Sequence, residues 1–322
     1  MSFRYVFLPP QTDITRDWAQ RLRAAQPGLD VVVAEDEAQA SAAIVDAEGA
    51  FGRLHPQLLA RARKLRWLQS PQIAPPAGYY YKELIEHPLV VTNMREIFND
   101  HIGAHIMAYV LAFARGLHYY LPQQLKGVWQ PRREDTGVVH LPESTMLIVG
   151  LGGIGAEAAR LAATFGITVI GTDARRESAP PHVAEMHKPE ALDELLPRAD
   201  FVVLTVPHTP ATEGFFNRAR FQRMKKSAFF INIGRGMTTR LDDLVASLEA
   251  GEIAGAALDV FEQEPLPAGH KLWTLPNVLI TPHTAGFGPY LNERRYEIVR
   301  DNCRAFAAGA PMRNLVDKAS WF

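Results

Sequence analysis

The densest chemical signal in this chain is Gly150-Leu151-Gly152-Gly153-Ile154-Gly155, set between the apolar run Met146–Val149 and the alanine-rich run Ala156–Leu161. Strand, glycine turn and helix in that order are the setting in which G-x-G-x-x-G binds a dinucleotide. Gly150 permits the tight turn, Gly152 lets the backbone approach a pyrophosphate, and Gly155 lets helix and strand pack. The helix N-terminus adds N–H donors and partial positive charge. Asp173 ends a second apolar run, Ile167–Thr172, about 20 residues downstream, where an acid that binds a ribose 2′-hydroxyl belongs. Four further side chains follow apolar runs: Arg235 in Ile231-Asn-Ile233-Gly234-Arg235-Gly236, Asp259 and Glu264 in Ala257–Pro265, and His283 in Thr281-Pro-His283-Thr-Ala-Gly286. A guanidinium can grip a carboxylate in two places and polarise an adjacent carbonyl. Histidine is the natural proton donor near neutral pH, and a carboxylate beside it holds its tautomer. His101, His105, His118 and His208 rival His283 by type; its place past a strand, on the fingerprint's side of the sheet, favours it.

Such groups need a scaffold that gathers strand ends on one edge. Strand-like runs at 146–150, 167–172, 200–206, 228–233, 254–258 and 278–281 alternate with helical patterns, which predicts a parallel sheet with ligands beyond its carboxyl edge. Upstream, strands at 4–8, 31–33, 65–69 and 89–92 and helices at 13–25, 56–63 and 80–86 predict a second α/β unit. A long apolar helix from Phe98 through Arg115 suits burial between units, and 292–308 reads as a last helix. The fold class is therefore α/β, with two doubly wound parallel sheets. At 322 residues the chain exceeds one ordinary core. Its net charge of -1 argues against nucleic acid and membrane surfaces as partners. A sole cysteine, Cys303, excludes an intrachain disulfide and any multi-thiolate metal site, and no metal is expected. The opening apolar run stops at Pro9-Pro10, too short for a secretory segment, and Glu157 and Arg160 interrupt the one stretch that tempts a membrane reading. A cytoplasmic location is expected.

The motifs Gly150–Gly155, Asn232-x-x-Arg235-Gly236, Ala257-Leu-Asp259-Val-Phe-x-x-Glu264-Pro265 and Leu279-x-Thr-Pro-His283-x-Ala-Gly286 resemble those of the D-isomer-specific 2-hydroxyacid dehydrogenases. The resemblance runs from Leu65-Arg-Trp-Leu-Gln-Ser70 to Asn314-Leu-Val-Asp-Lys318. It implies a Rossmann cofactor domain (99–287) inserted into a flavodoxin-like substrate domain (1–98 plus 288–322), with a cleft between them and a homodimer whose seam is the 98–121 helix and Trp129. It implies that His283 is the general acid in reduction of a 2-oxo acid, that Glu264 is its partner, and that Arg235 anchors the substrate carboxylate. Gly150, Gly152, Gly153, Ile154, Gly155, Asp173, Val206, Pro207, Thr212, Ile233, Gly234, Asp259 and Gly286 would line the cofactor, Asp259 on the nicotinamide side. Relatives that oxidise formate carry an amide where this chain has Glu264, so formate oxidation is not expected.

The chain departs from the family pattern at the loop Ser70-Pro71-Gln72-Ile73-Ala74-Pro75-Pro76, which replaces glycine amides with prolines that have no N–H. Ser70, Gln72, Ile73 and Ala74 are its candidate substrate contacts, and Tyr79, Tyr80 and Tyr81 either line the pocket or pack. His208 stands where the family has leucine, and Ala104 where many members carry an acid. Asp173 favours NAD, while Arg175 and Arg176 would take the 2′-phosphate of NADP if turned inward. Two rival functions share these motifs: a cofactor-sensing corepressor-like interaction protein, and a phosphite-type dehydrogenase. The chain's lack of long polar extensions counts against the first.

Overall fold

The computed structural model describes residues 3–73, 78–133 and 137–319. It divides into two compact units, Met1–Ile97 with Pro289–Phe322, and Phe98–Gly288.

In the first unit, strands β1 (Phe3–Phe7), β2 (Leu29–Val33), β3 (Gly49–Phe51), β4 (Trp67–Gln69) and β5 (Val90–Thr92) pair in parallel in the order β2-β1-β3-β4-β5. This is the flavodoxin-like arrangement. The helix Asp13–Ala25 starts where read from sequence, because Thr12 and Thr15 cap each other's backbone N–H groups in a capping box. The helix Leu291–Ala308 returns to this unit, held by the Arg21–Glu293 ion pair at 2.6 Å and by Asn302, whose amide donates to buried Gln69 at 3.0 Å. The helix Glu37–Ala43 and β3 escape the sequence reading: β3 is only 3 residues long, too short to show a period.

The second unit contains β6 (Thr145–Val149), β7 (Thr168–Thr172), β8 (Glu185–His187), β9 (Phe201–Leu204), β10 (Phe229–Asn232), β11 (Gly255–Leu258) and β12 (Val278–Ile280), all parallel, ordered β12-β11-β10-β9-β6-β7-β8. The strand order reverses between β6 and β9, the switch point at which open α/β sheets bind ligands. The central strands read as unbroken apolar runs because both faces are covered. Leu147, Val149, Val202 and Leu204 enter one core, and Met146, Ile148, Phe201 and Val203 the other. The apolar helix, Asn99–Ala114, buries Ile106, Val110 and Phe113 in that second core beside Ala158 and Ala162 of the helix Gly153–Thr164. Among the described residues no helix is long and apolar enough to cross a membrane.

Candidate active site

Because the strands of the second unit are parallel, the residues that follow them share one edge: Gly150 after β6, Asp173 after β7, Thr205 after β9, Ile233 after β10, Asp259 after β11 and Thr281 after β12. Gly150 sits at φ +101°, a conformation that side chains resist. A Cβ on Gly155 would collide with the Gly150 carbonyl, whereas one on Gly152 would meet nothing within 4 Å. The helix that begins at Gly153 and Ile154 has Gly152 as its N-cap, with no side-chain cap, so its first N–H groups are left for an anion. Open space, free donors and a tight turn fit a pyrophosphate.

The Asp173 carboxylate is held by backbone donors. Its Oδ2 accepts from Leu151 N at 2.9 Å, and its Oδ1 from Arg175 N at 2.8 Å and Arg176 N at 2.9 Å. Three of roughly four lone-pair sites are thus occupied by backbone donors, one of them from the glycine turn itself. Arg176 grips the same residue from its other side, Nε donating to Leu151 O at 2.5 Å. Thr205 adds a hydroxyl bond to Gly150 O, also at 2.5 Å. Gly234 lies against Val206, where a Cβ would come within 2.6 Å of its carbonyl oxygen. Thr212 ties its hydroxyl to Pro207 O at 2.7 Å, and His208 pairs with Glu213 at 3.5 Å. Gly286 packs beside the Phe98 ring.

His283 and Glu264 meet farther along the same edge, beyond β11 and β12. His283 Nδ1 and Glu264 Oε2 are 2.7 Å apart, and Glu264 Oε1 accepts from Phe261 N at 3.0 Å. The carboxylate is therefore fixed before it fixes the imidazole. His283 adopts φ +54°, and its N–H donates to Asp259 O at 2.9 Å. Asp259 is 1% exposed; its Oδ1 accepts from Thr281 Oγ1 at 2.5 Å and Thr284 N at 2.8 Å, and its Oδ2 from Ala285 N at 2.9 Å. One acceptor site on Oδ2 remains. Arg235 leads out of β10 on a loop stapled by buried Asn232, which accepts from Gly234 N at 3.0 Å and donates to Arg235 O at 3.2 Å. Its Nη1 donates to Gly234 O at 2.5 Å. Burial pulls the Arg235 pKa down from its usual value, and the Glu264 carboxylate opposes that pull.

The loop of the first unit is a separate matter. Ser70 N donates to Thr92 O at 2.7 Å, and the Gln72 N–H turns back to Ser70 Oγ at 3.4 Å. Ile73 O accepts from Asn93 at 3.4 Å, and Ala74, Pro75 and Pro76 lie outside the described residues. All three tyrosines pack: Tyr79 and Tyr80 lie in the core of this unit with Tyr81 against it, the Tyr79 and Tyr81 hydroxyls donate to Gly52 O at 2.8 Å and Leu54 O at 2.9 Å, and burial pushes Tyr79 up to about 12. The sequence reading places the Thr205–Pro207 strand end near the adenosine or ribose, gives Thr281 and Tyr109 no role, and holds His105 only as a rival of His283. A hydroxyl directly after a strand is the available signal for Thr281.

The family described as "D-isomer specific 2-hydroxyacid dehydrogenase, NAD binding domain" matches residues 107–285. Glyoxylate reductase of Korarchaeum cryptofilum is 34% identical over 242 residues, covering 74% of this chain and 72% of that protein. Glyoxylate/hydroxypyruvate reductase B of Citrobacter koseri is 33% identical over 306 residues, covering 90% and 86%. A solved D-isomer-specific 2-hydroxyacid dehydrogenase of Xanthobacter autotrophicus Py2, in complex with NADPH and MES, superposes with a TM-score of 0.84 at 30% identity, covering 100% of both chains. The chain belongs to the D-isomer-specific 2-hydroxyacid dehydrogenase family. It is an NAD(P)-dependent oxidoreductase that reduces 2-oxo acids to D-2-hydroxy acids.

Proposed function

We propose that the substrate is a small 2-oxo acid of the glyoxylate and hydroxypyruvate class, with His283 as general acid, Glu264 as its partner and Arg235 as carboxylate anchor. The observation that carries this reading is the 2.7 Å bond between His283 Nδ1 and a carboxylate that is itself held by backbone. With Nδ1 engaged, Nε2 is the ring atom left to give its proton to the alkoxide forming on the substrate. Glu264 supports the imidazolium before the transfer and keeps the ring aimed. The half-buried Arg235 guanidinium offsets charge on the substrate, an interaction that strengthens where water is excluded. A reduced nicotinamide, when bound, would supply the hydride to C2, and the remaining Asp259 acceptor site would take a donor on its amide. The glycine turn and the helix at Gly153 would hold the pyrophosphate.

In this reading the unit 98–288 is the cofactor domain and the other unit the substrate domain, with Ser70, Gln72 and Ile73 on the substrate side. Either coenzyme fits the end of β7. Asp173 keeps one lone pair for a ribose hydroxyl, and Arg175 and Arg176 follow on the same turn. Two copies of the chain would associate through the helix Leu117–Leu125 and the segment after it. There Leu121, Leu125, Val128 and Trp129 are exposed, Trp129 at 96%, beside a groove of about 580 Å³. The preceding Asn99–Ala114 helix buries its apolar face inside its own unit. A buried Cys303 suits the reducing cytoplasm.

The test is purified protein with NADH or NADPH against a panel of 2-oxo acids of increasing size, read by loss of nicotinamide absorbance. Glyoxylate or hydroxypyruvate should give the highest kcat/KM. Cofactor binding without turnover on any of them would make the protein a cofactor-responsive binding partner, and turnover on phosphite alone would assign an inorganic anion.

A further inference from the structure

Thr281 stands two residues before His283, and its hydroxyl has three neighbours within bonding reach: Asp259 Oδ1 at 2.5 Å, Tyr109 OH at 2.5 Å and His105 Nε2 at 3.0 Å. A hydroxyl has one proton and two lone pairs, and a carboxylate only accepts. The Thr281 proton therefore goes to Asp259. Both lone pairs must then receive protons, one from the Tyr109 O–H and one from a His105 Nε2–H. Tyr109 divides its proton between Thr281 and Leu258 O at 3.2 Å, and the capacity of Thr281 is filled. This proton count fixes the tautomer of His105.

The two donors lie one turn apart on the helix Asn99–Ala114, their rings edge to face at 4.7 Å. That helix is seated by buried Ile106, Val110 and Phe113, so it is a rigid platform. On the far side of Thr281, Asp259 accepts from Thr284 N and Ala285 N, and its carbonyl accepts from His283 N. These bonds bracket His283 at φ +54°, a conformation that a side-chain-bearing residue keeps only when its surroundings over-determine it.

We infer that Tyr109 and His105 are positioning residues for the reaction: they orient Thr281, through it Asp259, and so the aim of the His283 imidazole. This rests on the reading of His283 as general acid. Burial lowers the His105 pKa against the pull of Asp259, which agrees with a neutral ring that donates from Nε2.

The variants Tyr109→Phe and His105→Leu test it in the full chain. Each should lower kcat about 10- to 100-fold, while KM for the 2-oxo acid and the NADPH dissociation constant from protein fluorescence stay within about three-fold. His105→Gln, which keeps an N–H donor, should recover most of the loss. In the unmodified protein, nitrogen NMR should find His105 as the Nε2–H tautomer at neutral pH, a result independent of any variant's folding. An unchanged kcat in Tyr109→Phe, a cofactor affinity that falls with kcat, or the Nδ1–H tautomer would each overturn the positioning role alone. No turnover in the unmodified protein would sink the His283 reading and this inference with it.

Discussion

His283 and Asp259 are joined by a backbone hydrogen bond, yet they live in opposite surroundings. The His283 side chain is 51% exposed and that of Glu264 36%, whereas Asp259 is 1% exposed with three donors on its carboxylate. The contrast separates two demands. A group that exchanges protons must reach substrate and water, and a group that sets its direction must not move. Here a buried, satisfied network supplies direction to a half-exposed imidazole, and a low-dielectric setting makes each bond of that network costly to break.

The comparison breaks most sharply at the exposed end. His283→Gln removes the proton donor and should cut kcat by about 10³-fold with the fold intact, since general acid–base groups contribute roughly 10²–10⁴-fold. Glu264→Gln keeps the shape but not the charge and should cost less, with the alkaline limb of the pH–rate profile for reduction moving to lower pH because the imidazolium loses its partner. Steady-state kinetics across pH reads both.

A smaller effect is expected at the cofactor end, where the Asp173 carboxylate, like that of Asp259, already accepts three hydrogen bonds. From charge alone, Asp173→Ala would shift preference to NADP. With three backbone donors on its carboxylate, one of them from the glycine turn, the substitution should instead weaken both coenzymes about ten-fold by releasing that turn. Arg175→Gln should weaken NADPH more than NADH. Fluorescence titration with each coenzyme checks the pattern.

The smallest effect sharpens the buried side. The His105 pKa lies below its ordinary value because burial disfavours the charged ring. As pH falls below about 6.5, the unfolded chain takes up a proton that the folded chain refuses, so stability drops until the lower folded pKa is passed. Above that window His105 contributes no slope. His87 and His118 are lowered too and act with the same sign. Urea midpoints at two pH values should therefore fall less on acidification in His105→Gln than in the unmodified protein.

Residue order along the chain already determined a great deal. The glycine fingerprint, Arg235, Asp259 and His283 are legible because each directly follows an apolar run, and parallel strands bring such positions to one edge whatever their order. The two-sided burial of β6, β9 and β10 is written in unbroken apolar stretches. Tertiary structure alone decided the rest. Nothing local says that β6 lies beside β9, or that Asp173 Oδ2 accepts from a turn 22 residues upstream. Nor does spacing reveal that His105 reaches Thr281 across 176 residues. Periodicity records which face of an element is apolar, whereas the partner of a polar atom depends on which elements pack together and how far each side chain projects.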